Sequence, residues 1–487
     1  MEQLTVELSN VEVSFLDQLI LDIPKLSVHQ FDRIGIVGKN GAGKSTLLKV
    51  IAGKITPNKG TVHRLVEFGY FGQLTQPNET EISYELLSKL AVPDEDIQHL
   101  SGGEQTRMKL AQLFSTYYEG LLIDEPTTHL DHSGIEFLKE QLKYYYGSLI
   151  LVSHDRQLLD EIVTKIWEIE DGQITEYTGN YSDYVKQKQL ERQQHQEEYE
   201  KFKKEKKRLL KAAEEKMKKA ERVTQPNKKL SKRDVKATAN RMYMTKSKDT
   251  SQKSIQRAAK AIEKRVELLP EVKAPRDTKT LYFHQPEALK MYNNFPVMAD
   301  ELTLKVANKV LLKDVSFQFP LGKTIAITGK NGSGKTSLLN HILDDGEGII
   351  LSPKVVFGVY QQMAYRFKQS ETVLEYIKNR SDYEESRIRA VLHAMNFTGN
   401  DLRKDVRHLS GGEAIRLVLC QRFLGTYNVL VLDEPTNFLD IDSIEALENF
   451  LASYEGTVIL VSHDQWFVDR VADVVYKIEK EQLILEK

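Results

Sequence analysis

The sequence predicts an α/β fold in which a long, basic, helical segment joins two similar domains. Three observations carry this prediction. A set of four short motifs occurs twice in the same order, short apolar runs precede several of these motifs, and the chain between the two sets is strongly basic. The length agrees, because a chain of 487 residues exceeds what one hydrophobic core usually organises, and domains hold roughly 100 to 200 residues.

The duplication is visible in the spacing of the motifs. The step from the serine of SGGE to the glutamate of DEPT is 24 residues in both copies, and the step from that glutamate to the histidine of VSHD is 29. Chance does not reproduce such a spacing. The motif pairs are GKNGAGKS at 38–45 with GKNGSGKT at 329–336, SGGE at 101–104 with 410–413, DEPT at 124–127 with 433–436, and VSHD at 152–155 with 461–464.

Short, wholly apolar runs lead into the DEPT and VSHD motifs. Such runs suit strands that are buried on both faces of a parallel sheet. Ligands bind at the carboxyl ends of the strands in sheets of this kind, so we expect the chemistry at that edge. The predicted strands cover residues 121–123, 149–152, 429–432 and 458–461.

The first motif of each set has the pattern of a phosphate-binding loop. Gly38, Gly41 and Gly43 allow the backbone to bend so that successive N–H groups point at phosphates. Lys44 would reach the β and γ oxygens, and Ser45 would hold Mg²⁺ at a helix N-terminus. The apolar residues 34–37 supply the preceding strand that the motif requires. Residues 329–336 predict the same loop in the second copy.

Acidic residues and histidines follow the predicted strands. Asp124 and Asp433 are placed to hold Mg²⁺ through water, and Glu125 and Glu434 to polarise an attacking water as general bases. His154 and His463 would contact the γ-phosphate. The alternatives, acidic residues in a polar turn and structural histidines, do not account for the identical spacing of the two copies.

The whole motif set resembles the ATP-binding cassette superfamily, and SGGE is its most specific element. The resemblance implies that two cassettes face head to tail, so that each ATP lies between the phosphate loop of one and the signature SGGE of the other. One site would then combine residues 38–45, Gln73, Asp124, Glu125 and His154 with residues 410–413. The second site would combine residues 329–336, Gln362, Asp433, Glu434 and His463 with residues 101–104.

The resemblance therefore implies a full set of binding residues for ATP and Mg²⁺. Mg²⁺ would be held by Ser45, Gln73, Asp124, Thr336, Gln362 and Asp433. The nucleotide would be contacted by Phe15, Gly38, Lys39, Asn40, Gly41, Ala42, Gly43, Lys44, Ser45, Thr46, Gln73, Ser101, Gly102, Gly103, Glu104, Gly329, Lys330, Asn331, Gly332, Ser333, Gly334, Lys335, Thr336, Ser337, Gln362, Ser410, Gly411, Gly412 and Glu413.

The two copies differ at the position where the family usually stacks an aromatic side chain on adenine. Phe15 lies 23 residues before Gly38, whereas the same step before Gly329 reaches Val306, which cannot stack. Phe15 would alternatively belong to the core. Strict symmetry of the two ATP sites is therefore in doubt.

The segment between the copies carries a net charge of +16 over residues 185–280. Such a block is either a solvated or disordered segment or a surface for nucleic acid. Two apolar stripes at helical spacing predict an antiparallel hairpin with basic outer faces, and Pro270 should end its second helix at Leu269. The stripes are Tyr199, Phe202, Leu209, Ala213, Met217 and Ala220, and then Ile255, Ala258, Ile262, Val266 and Leu269.

The polar stretch at about 222–253 would form the hairpin tip. Within it Arg241, Met242, Tyr243 and Met244 suit packing against RNA bases, although the methionines could instead pack inside the hairpin. We place the first domain at residues 1–184, the linker at 185–280 and the second domain at 281–487.

Tandem cassettes joined by a charged linker resemble the ABC-F family of translation-acting ATPases. Only 28 residues separate Gln73 from Ser101, against 48 between Gln362 and Ser410, so the first cassette lacks room for the arm subdomain of housekeeping members. This resembles the antibiotic-resistance branch, which includes the Msr-type and Vga-like proteins. The single cysteine and the absence of any apolar leader or spanning run predict a cytoplasmic protein.

These resemblances imply a monomeric ATPase that uses ATP and Mg²⁺, inserts its linker into the ribosome near the peptidyl-site tRNA and promotes release of a bound drug. The expected drugs are macrolides, streptogramins, lincosamides or pleuromutilins. Two alternatives stay open: a housekeeping translation factor with the same motifs, and a detached transporter motor, which would leave the linker charge unexplained.

The linker charge leads to a test by salt dependence. Neutralising six or more of its lysines should weaken co-sedimentation with ribosomes and flatten its dependence on salt. The reason is that fewer phosphate contacts form and fewer counterions are released on binding. Co-sedimentation that stays unchanged at several salt concentrations would favour the detached motor. The lysines are Lys201, Lys203, Lys204, Lys206, Lys207, Lys211, Lys216, Lys218 and Lys219.

Overall fold

The computed structural model forms two compact units. One comprises Met1–Tyr184 together with Lys279–Lys487, and the other comprises Val185–Thr278. The described residues are 3–16, 18–72, 82–93, 99–128, 130, 132–224, 253–255, 257–262, 264–270, 272, 283, 289–306, 309–330, 332–361, 367–437 and 439–487. Within these ranges every helix is too short or too polar to cross a lipid bilayer.

The first copy of the motif set lies on alternating strands and helices. Its strands are β1 (Leu4–Phe15), β2 (Gln18–His29), β3 (Arg33–Gly38), β4 (Lys59–Arg64), β5 (Phe68–Phe71), β6 (Gly120–Asp124), β7 (Ser148–Val152), β8 (Lys165–Glu170) and β9 (Gln173–Thr178). Its helices are α1 (Lys44–Ile51), α2 (Tyr84–Lys89), α3 (Gly102–Ser115), α4 (His132–Tyr144) and α5 (Arg156–Ile162).

The second copy repeats this order. Its strands are β10 (Val297–Val306), β11 (Lys309–Phe319), β12 (Thr324–Gly329), β13 (Ile349–Leu351), β14 (Phe357–Tyr360), β15 (Val429–Asp433), β16 (Thr457–Val461), β17 (Val474–Glu479) and β18 (Gln482–Leu485). Its helices are α7 (Lys335–Leu343), α8 (Val373–Lys378), α9 (Glu385–Ala394), α10 (Gly411–Phe423), α11 (Ile441–Ala452) and α12 (Gln465–Val471), with 3₁₀ turns at Asp401–Arg403 and Val406–His408.

Each copy is centred on a six-stranded sheet with the same topology. The strand orders are β5-β6-β7-β3-β8-β9 and β14-β15-β16-β12-β17-β18. All neighbours pair in parallel except the last strand of each sheet, which is antiparallel. The predicted strands β6, β7, β15 and β16 are buried at every residue, which confirms their place in the interior of the sheets.

A smaller antiparallel sheet covers one face of each six-stranded sheet. Its strand orders are β2-β1-β4 and β11-β10-β13. Side chains from both sheets and from α1 form one core in the first copy, which includes Leu8, Ile34 and Leu48, all without exposed surface. Burial of each such side chain contributes roughly 1.5–3 kcal/mol to folding. This core holds the phosphate loop between β3 and α1 in place.

Most of the described residues of the second unit are helical. Helix α6 covers Tyr181–Thr224, and residues 253–255, 257–262 and 264–267 are also helical. Ala213 is buried, and Phe202, Ala258 and Ile262 are partly buried, as the two predicted stripes require; Ala259, next to the second stripe, is buried as well. Met217 departs from its stripe and is 38% exposed.

The end of the second linker helix lies slightly earlier than predicted. The helix ends at Glu267 instead of Leu269. The N–H of Leu269 donates to the carbonyl oxygen of Val266 at 3.3 Å, so the chain tightens into a turn before Pro270. The predicted tip residues Arg241, Met242, Tyr243 and Met244 lie outside the described residues.

Candidate active sites

The phosphate loops follow the central strand of each sheet. Gly38, Gly41 and Gly43 all have positive φ angles, which favour glycine. At Gly38 a Cβ atom would also lie 2.6 Å from the carbonyl oxygen of Ile169, so no other residue fits there. Gly43 caps α1 in the left-handed conformation, which leaves the first N–H groups of that helix directed into the loop. Such a helix start binds phosphate oxygens well.

The lysine of each loop is buried and lies back over its own loop. The Nζ atom of Lys44 donates to the carbonyl oxygens of Gly38 at 2.6 Å and Lys39 at 3.0 Å. Lys335 makes the corresponding bonds to Gly329 at 2.8 Å and Lys330 at 3.2 Å. Burial lowers the pKa of both lysines, although neighbouring carboxylates oppose the shift. Both ammonium groups are therefore held at the floor of the anion cradle.

A hydroxyl and an aspartate form the candidate Mg²⁺ site of each copy. The Oγ atom of Ser45 donates to Asp124 at 3.1 Å, and the Oγ1 atom of Thr336 donates to Asp433 at 2.9 Å. Burial raises the pKa of both aspartates, and the hydroxyl bonds oppose that shift. The Oδ1 atom of Asp433 is buried and accepts no hydrogen bond from the described residues. Mg²⁺ prefers such oxygen ligands and keeps several waters, so these residues fit the ion.

The two candidate bases occupy a strained position directly after β6 and β15. Glu125 and Glu434 have φ angles of 49° and 50°, a conformation that costs roughly 1–3 kcal/mol in a residue with a side chain. The N–H of Glu125 donates to the carbonyl oxygen of Val152 at 2.9 Å, and that of Glu434 to Val461 at 2.9 Å. These bonds to the neighbouring strand hold the carboxylates at the edge of the sheet.

Each glutamate meets the histidine of its own copy, but in different ways. The backbone N–H groups of His154 and His463 donate to Glu125 and Glu434 at 3.2 Å and 3.3 Å. The His463 ring approaches Glu434 closely, with Nδ1 2.7 Å from Oε2. The His154 ring is more distant, with Nε2 3.4 Å from Oε1 of Glu125. That Oε1 atom is buried and accepts no hydrogen bond from the described residues.

The protonation states of the two sites differ accordingly. Burial raises the pKa of Glu125 to about 7, although the charge of Lys44 opposes this shift. Burial and the same Lys44 charge lower the pKa of His154. Burial also works against protonation of His463, but its bond to Glu434 outweighs burial and raises the pKa of that ring. Near neutral pH Glu125 can therefore both accept and release a proton, as a general base must.

The SGGE motifs begin helices α3 and α10. Ser101 and Ser410 are N-caps, and the Glu104 and Glu413 side chains bond back to the cap residues, so that each end is a complete capping box. Glu413 also pairs with Lys404 at 2.9 Å. The two glutamates therefore hold the helix starts, while the adjacent glycines leave bare backbone at the surface. The sequence shows this arrangement as the pattern S-x-x-E, which our prediction of ligand contact overlooked.

One cleft of about 1650 Å³ joins the parts of both sites. Its lining includes Lys44, Glu125 and His154 together with Ser410 and Gly412 of the other copy. It also includes Lys335, Glu434, His463 and Gly103. The structure thus brings the phosphate loop of each copy to the same cleft as the signature of the other. Gln73, Gln362 and Asn331 lie outside the described residues.

The adenine position shows the predicted difference between the copies. Phe15 ends β1 at the cleft and is 48% exposed, so it does not belong to the core. Val306 ends β10 and is equally exposed. The first site therefore has an aromatic face available for stacking, and the corresponding residue in the second copy has none.

A direct contact between the copies was missed in the sequence. The backbone N–H of Asn40, in the first phosphate loop, donates to Oδ2 of Asp440 at 3.0 Å. Asp440 is buried and also caps α11 through Ser443. A Leu-Asp pair follows DEPT at the same distance in both copies, at 130–131 and 439–440, but this repeat does not identify the partner of the aspartate.

Comparison with known proteins agrees with this architecture. Residues 21–128 and 312–437 match the family described as "ABC transporter", and residues 167–241 match a further family of the same description. The erythromycin resistance ATP-binding protein MsrA of Staphylococcus epidermidis is 43% identical over 477 residues, which cover 97% of both chains. The chain belongs to the ABC-F family. This ABC-F protein is an ATPase with two cassettes.

Further relatives support the assignment. The ribosome protection protein VmlR of Bacillus subtilis (strain 168) is 35% identical over 487 residues, with 96% of this chain and 85% of VmlR covered. The solved structure named RNase-L Inhibitor matches with a TM-score of 0.65 at 17% identity, over 98% of this chain and 91% of that one. The latter similarity supports the fold alone.

Replacing both candidate bases tests their role. The double variant Glu125→Gln/Glu434→Gln should bind ATP normally but hydrolyse it about 10²- to 10⁴-fold more slowly, because loss of a general base has that effect. Nucleotide binding and phosphate release measure the two quantities separately. The matched control Glu67→Gln/Glu347→Gln changes exposed glutamates and should leave both unchanged. Wild-type hydrolysis in the double variant would disprove the assignment.

The pKa of Glu125 leads to a pH test. In the variant Glu434→Gln, which leaves Glu125 as the remaining base, kcat/KM should rise with pH and level off above about 7. Below that pH the carboxyl is protonated and cannot accept a proton, so kcat/KM should fall about tenfold per pH unit. The measurement uses excess Mg²⁺ throughout. A kcat/KM that stays level between about pH 5.5 and about pH 8.5 would contradict this role of Glu125.

Proposed function

We propose that this ABC-F ATPase binds the ribosome, places its linker near the peptidyl-site tRNA and promotes the release of a bound antibiotic. The observation that carries this proposal is the similarity to the erythromycin resistance protein MsrA, which extends over 97% of both chains and so includes the linker. Macrolides, streptogramins, lincosamides and pleuromutilins are the drug classes that we expect. The ribosome protection protein VmlR supports the same assignment.

ATP hydrolysis would proceed at the two composite sites of the cleft. Glu125 or Glu434 accepts a proton from water as the water oxygen attacks the γ-phosphorus, and the bond to the bridging β–γ oxygen breaks. Lys44 or Lys335 and the N–H groups of the loop stabilise the charge on the phosphate oxygens. Mg²⁺, when bound beside Ser45 and Asp124 or Thr336 and Asp433, would neutralise charge on the β- and γ-phosphates.

Pairing of the two cassettes would couple ATP to movement. The signature helices start with bare glycine backbone at Gly102–Gly103 and Gly411–Gly412, so their N–H groups can approach a γ-phosphate on the opposite cassette. Each ATP would then hold the cassettes together, and hydrolysis would release them. We propose that the protein acts as a cytoplasmic monomer, because both halves of each site come from one chain.

The linker would provide the contact with RNA. Helix α6 has 44 residues. Most of the helix lies in the segment 185–280, which has a net charge of +16. Its exposed lysines can pair with phosphates in any sequence, whereas base recognition requires stacking groups at the tip. Arg241, Met242, Tyr243 and Met244 are our candidates for that role, on the basis of the sequence alone.

Drug susceptibility distinguishes this proposal from a housekeeping translation factor. Minimum inhibitory concentrations are measured across ribosome-targeting antibiotics in cells with and without the gene. Resistance to at least one of the four expected classes supports the proposal. If no susceptibility changes at confirmed expression, the protein acts as a translation factor without a protective role.

The tip can be separated from the ATPase by mutation. Replacing residues 241–244 with a Gly/Ser segment of equal length should abolish protection while ATP hydrolysis stays near wild type, because the cassettes are untouched. The matched control replaces residues 246–249, which contain lysine, serine and aspartate but no stacking group, and should retain protection. Full resistance with the 241–244 replacement, at equal expression, would place the determinant elsewhere.

A further inference from the structure

A buried ion pair joins the two cassettes beside the first ATP site. Arg156 begins α5, and its Nη1 atom donates to Oε1 of Glu448 on α11 at 2.5 Å. Its Nη2 atom also donates to the carbonyl oxygen of Ile441 at 3.4 Å. The two side chains are only 1% and 8% exposed. Neither belongs to the ATP-binding motifs, so the hydrolysis mechanism leaves both unexplained.

The ion pair belongs to the first site by position. Arg156 is two residues after His154, whose ring faces Glu125. Glu448 lies on the helix that Asp440 caps, and Asp440 accepts the N–H of Asn40 in the first phosphate loop. The pair and the Asn40 bond therefore tie the histidine segment and the phosphate loop of cassette 1 to the same helix of cassette 2.

At the second site, the residues at the corresponding positions pair within their own cassette. The repeat places Gln465 at the position of Arg156 and Lys139 at that of Glu448. Gln465 donates to Asp469 of its own helix at 2.8 Å. Lys139 pairs with Glu136 at 3.3 Å and with Glu161 at 3.1 Å, within cassette 1.

The local ion pair beside each of these positions has its charges reversed as well. Glu448 has a second partner, Arg470, at 3.2 Å. The repeat places Glu161 at the position of Arg470. The local pair is therefore Glu448–Arg470 in cassette 2 and Lys139–Glu161, with the two charges exchanged, in cassette 1. An arginine at 465 would thus face a lysine. The second site therefore differs from the ion-pair arrangement at all three corresponding positions, not at one alone.

We propose that Arg156 is a positioning residue that keeps the first ATP site closed longer than the second, so that the two sites release nucleotide at different rates. Separating the cassettes here would break the charge-assisted hydrogen bond of Arg156 to Glu448 and its bond to Ile441 before water can replace them, which slows opening. At the second site the residues at the three corresponding positions make local pairs, which persist on opening. This inference rests on the proposed pairing of phosphate loops with opposite signatures.

The test follows nucleotide release from the full-length protein. In the non-hydrolysing background Glu125→Gln/Glu434→Gln, bound labelled ATP is chased with unlabelled ATP. We expect a slow and a fast phase of equal amplitude. Lys44→Ala should remove the slow phase and Lys335→Ala the fast one, which assigns each phase to its site. If neither lysine variant removes a phase, the composite sites of the proposed function are wrong, and this outcome is distinct from failure of the ion-pair proposal.

Arg156→Gln introduces the residue that the second site carries. It should accelerate the slow phase at least about tenfold, because one partner of a buried pair is lost, and accelerate the fast phase much less, because both hydrogen bonds of Arg156 lie beside the first site. Arg156→Lys keeps the charge and should retain most of the slow release. A slow phase that is unchanged in Arg156→Gln, or equal acceleration of both phases, would overturn the proposal. Thermal unfolding checks that each variant folds.

A variant that carries the ion pair at the second site provides the matched gain-of-function test. The triple variant Lys139→Glu/Glu161→Arg/Gln465→Arg copies the first-site arrangement into the second site. It should slow the fast phase toward the slow one, because a charge pair then crosses the second interface. If this variant folds and its fast phase is unchanged while Arg156→Gln is also without effect, the ion pair does not control release.

Discussion

The parallel register of three neighbouring strands governs both active sites. In the first sheet β7 lies between β3 and β6, with Ile36 and Asp124 both paired to Val152. The phosphate loop, the Asp124–Glu125 pair and His154 therefore emerge at one edge, although they are separated by many residues in the chain. A slip of one residue would turn these side chains to the opposite faces. Both strands are buried at every residue, so a slip would also require the close-packed side chains on both faces of the sheet to repack.

The second sheet repeats this arrangement, and in the proposed mechanism each cassette alone holds only part of a site. The remaining part is a helix start from the other cassette, which the Ser101 and Ser410 capping boxes keep rigid. Rigid caps matter because bare glycine backbone has no side chain of its own to hold it in place. In the proposed mechanism catalysis and movement would therefore depend on the same surface, because hydrolysis at the cleft would release the cassettes that ATP holds together.

The duplicated chemistry has diverged around the shared motifs. Both copies retain the loop lysine, the aspartate, the glutamate and the histidine at identical spacing. The differences lie at the positions that surround them: Phe15 against Val306 at the rim, and Arg156 against Gln465 at the interface. The His154 and His463 rings also meet their glutamates at 3.4 Å and 2.7 Å. Divergence outside the reacting groups allows two sites with the same reaction to differ in how long they stay closed.

From the sequence alone we could predict the duplication, the interior strands, the phosphate loops and the positions of the candidate bases. These features depend on local patterns, namely motif spacing and short apolar runs, which a single chain displays directly. The capping role of Glu104 and Glu413 was also written locally, in the S-x-x-E pattern. The contacts of Asn40 with Asp440, 400 residues away, and of Arg156 with Glu448, 292 residues away, are visible only in the folded protein. Those contacts depend on how two folded surfaces dock, and the docking is set by shape and charge over many residues, not by any local period.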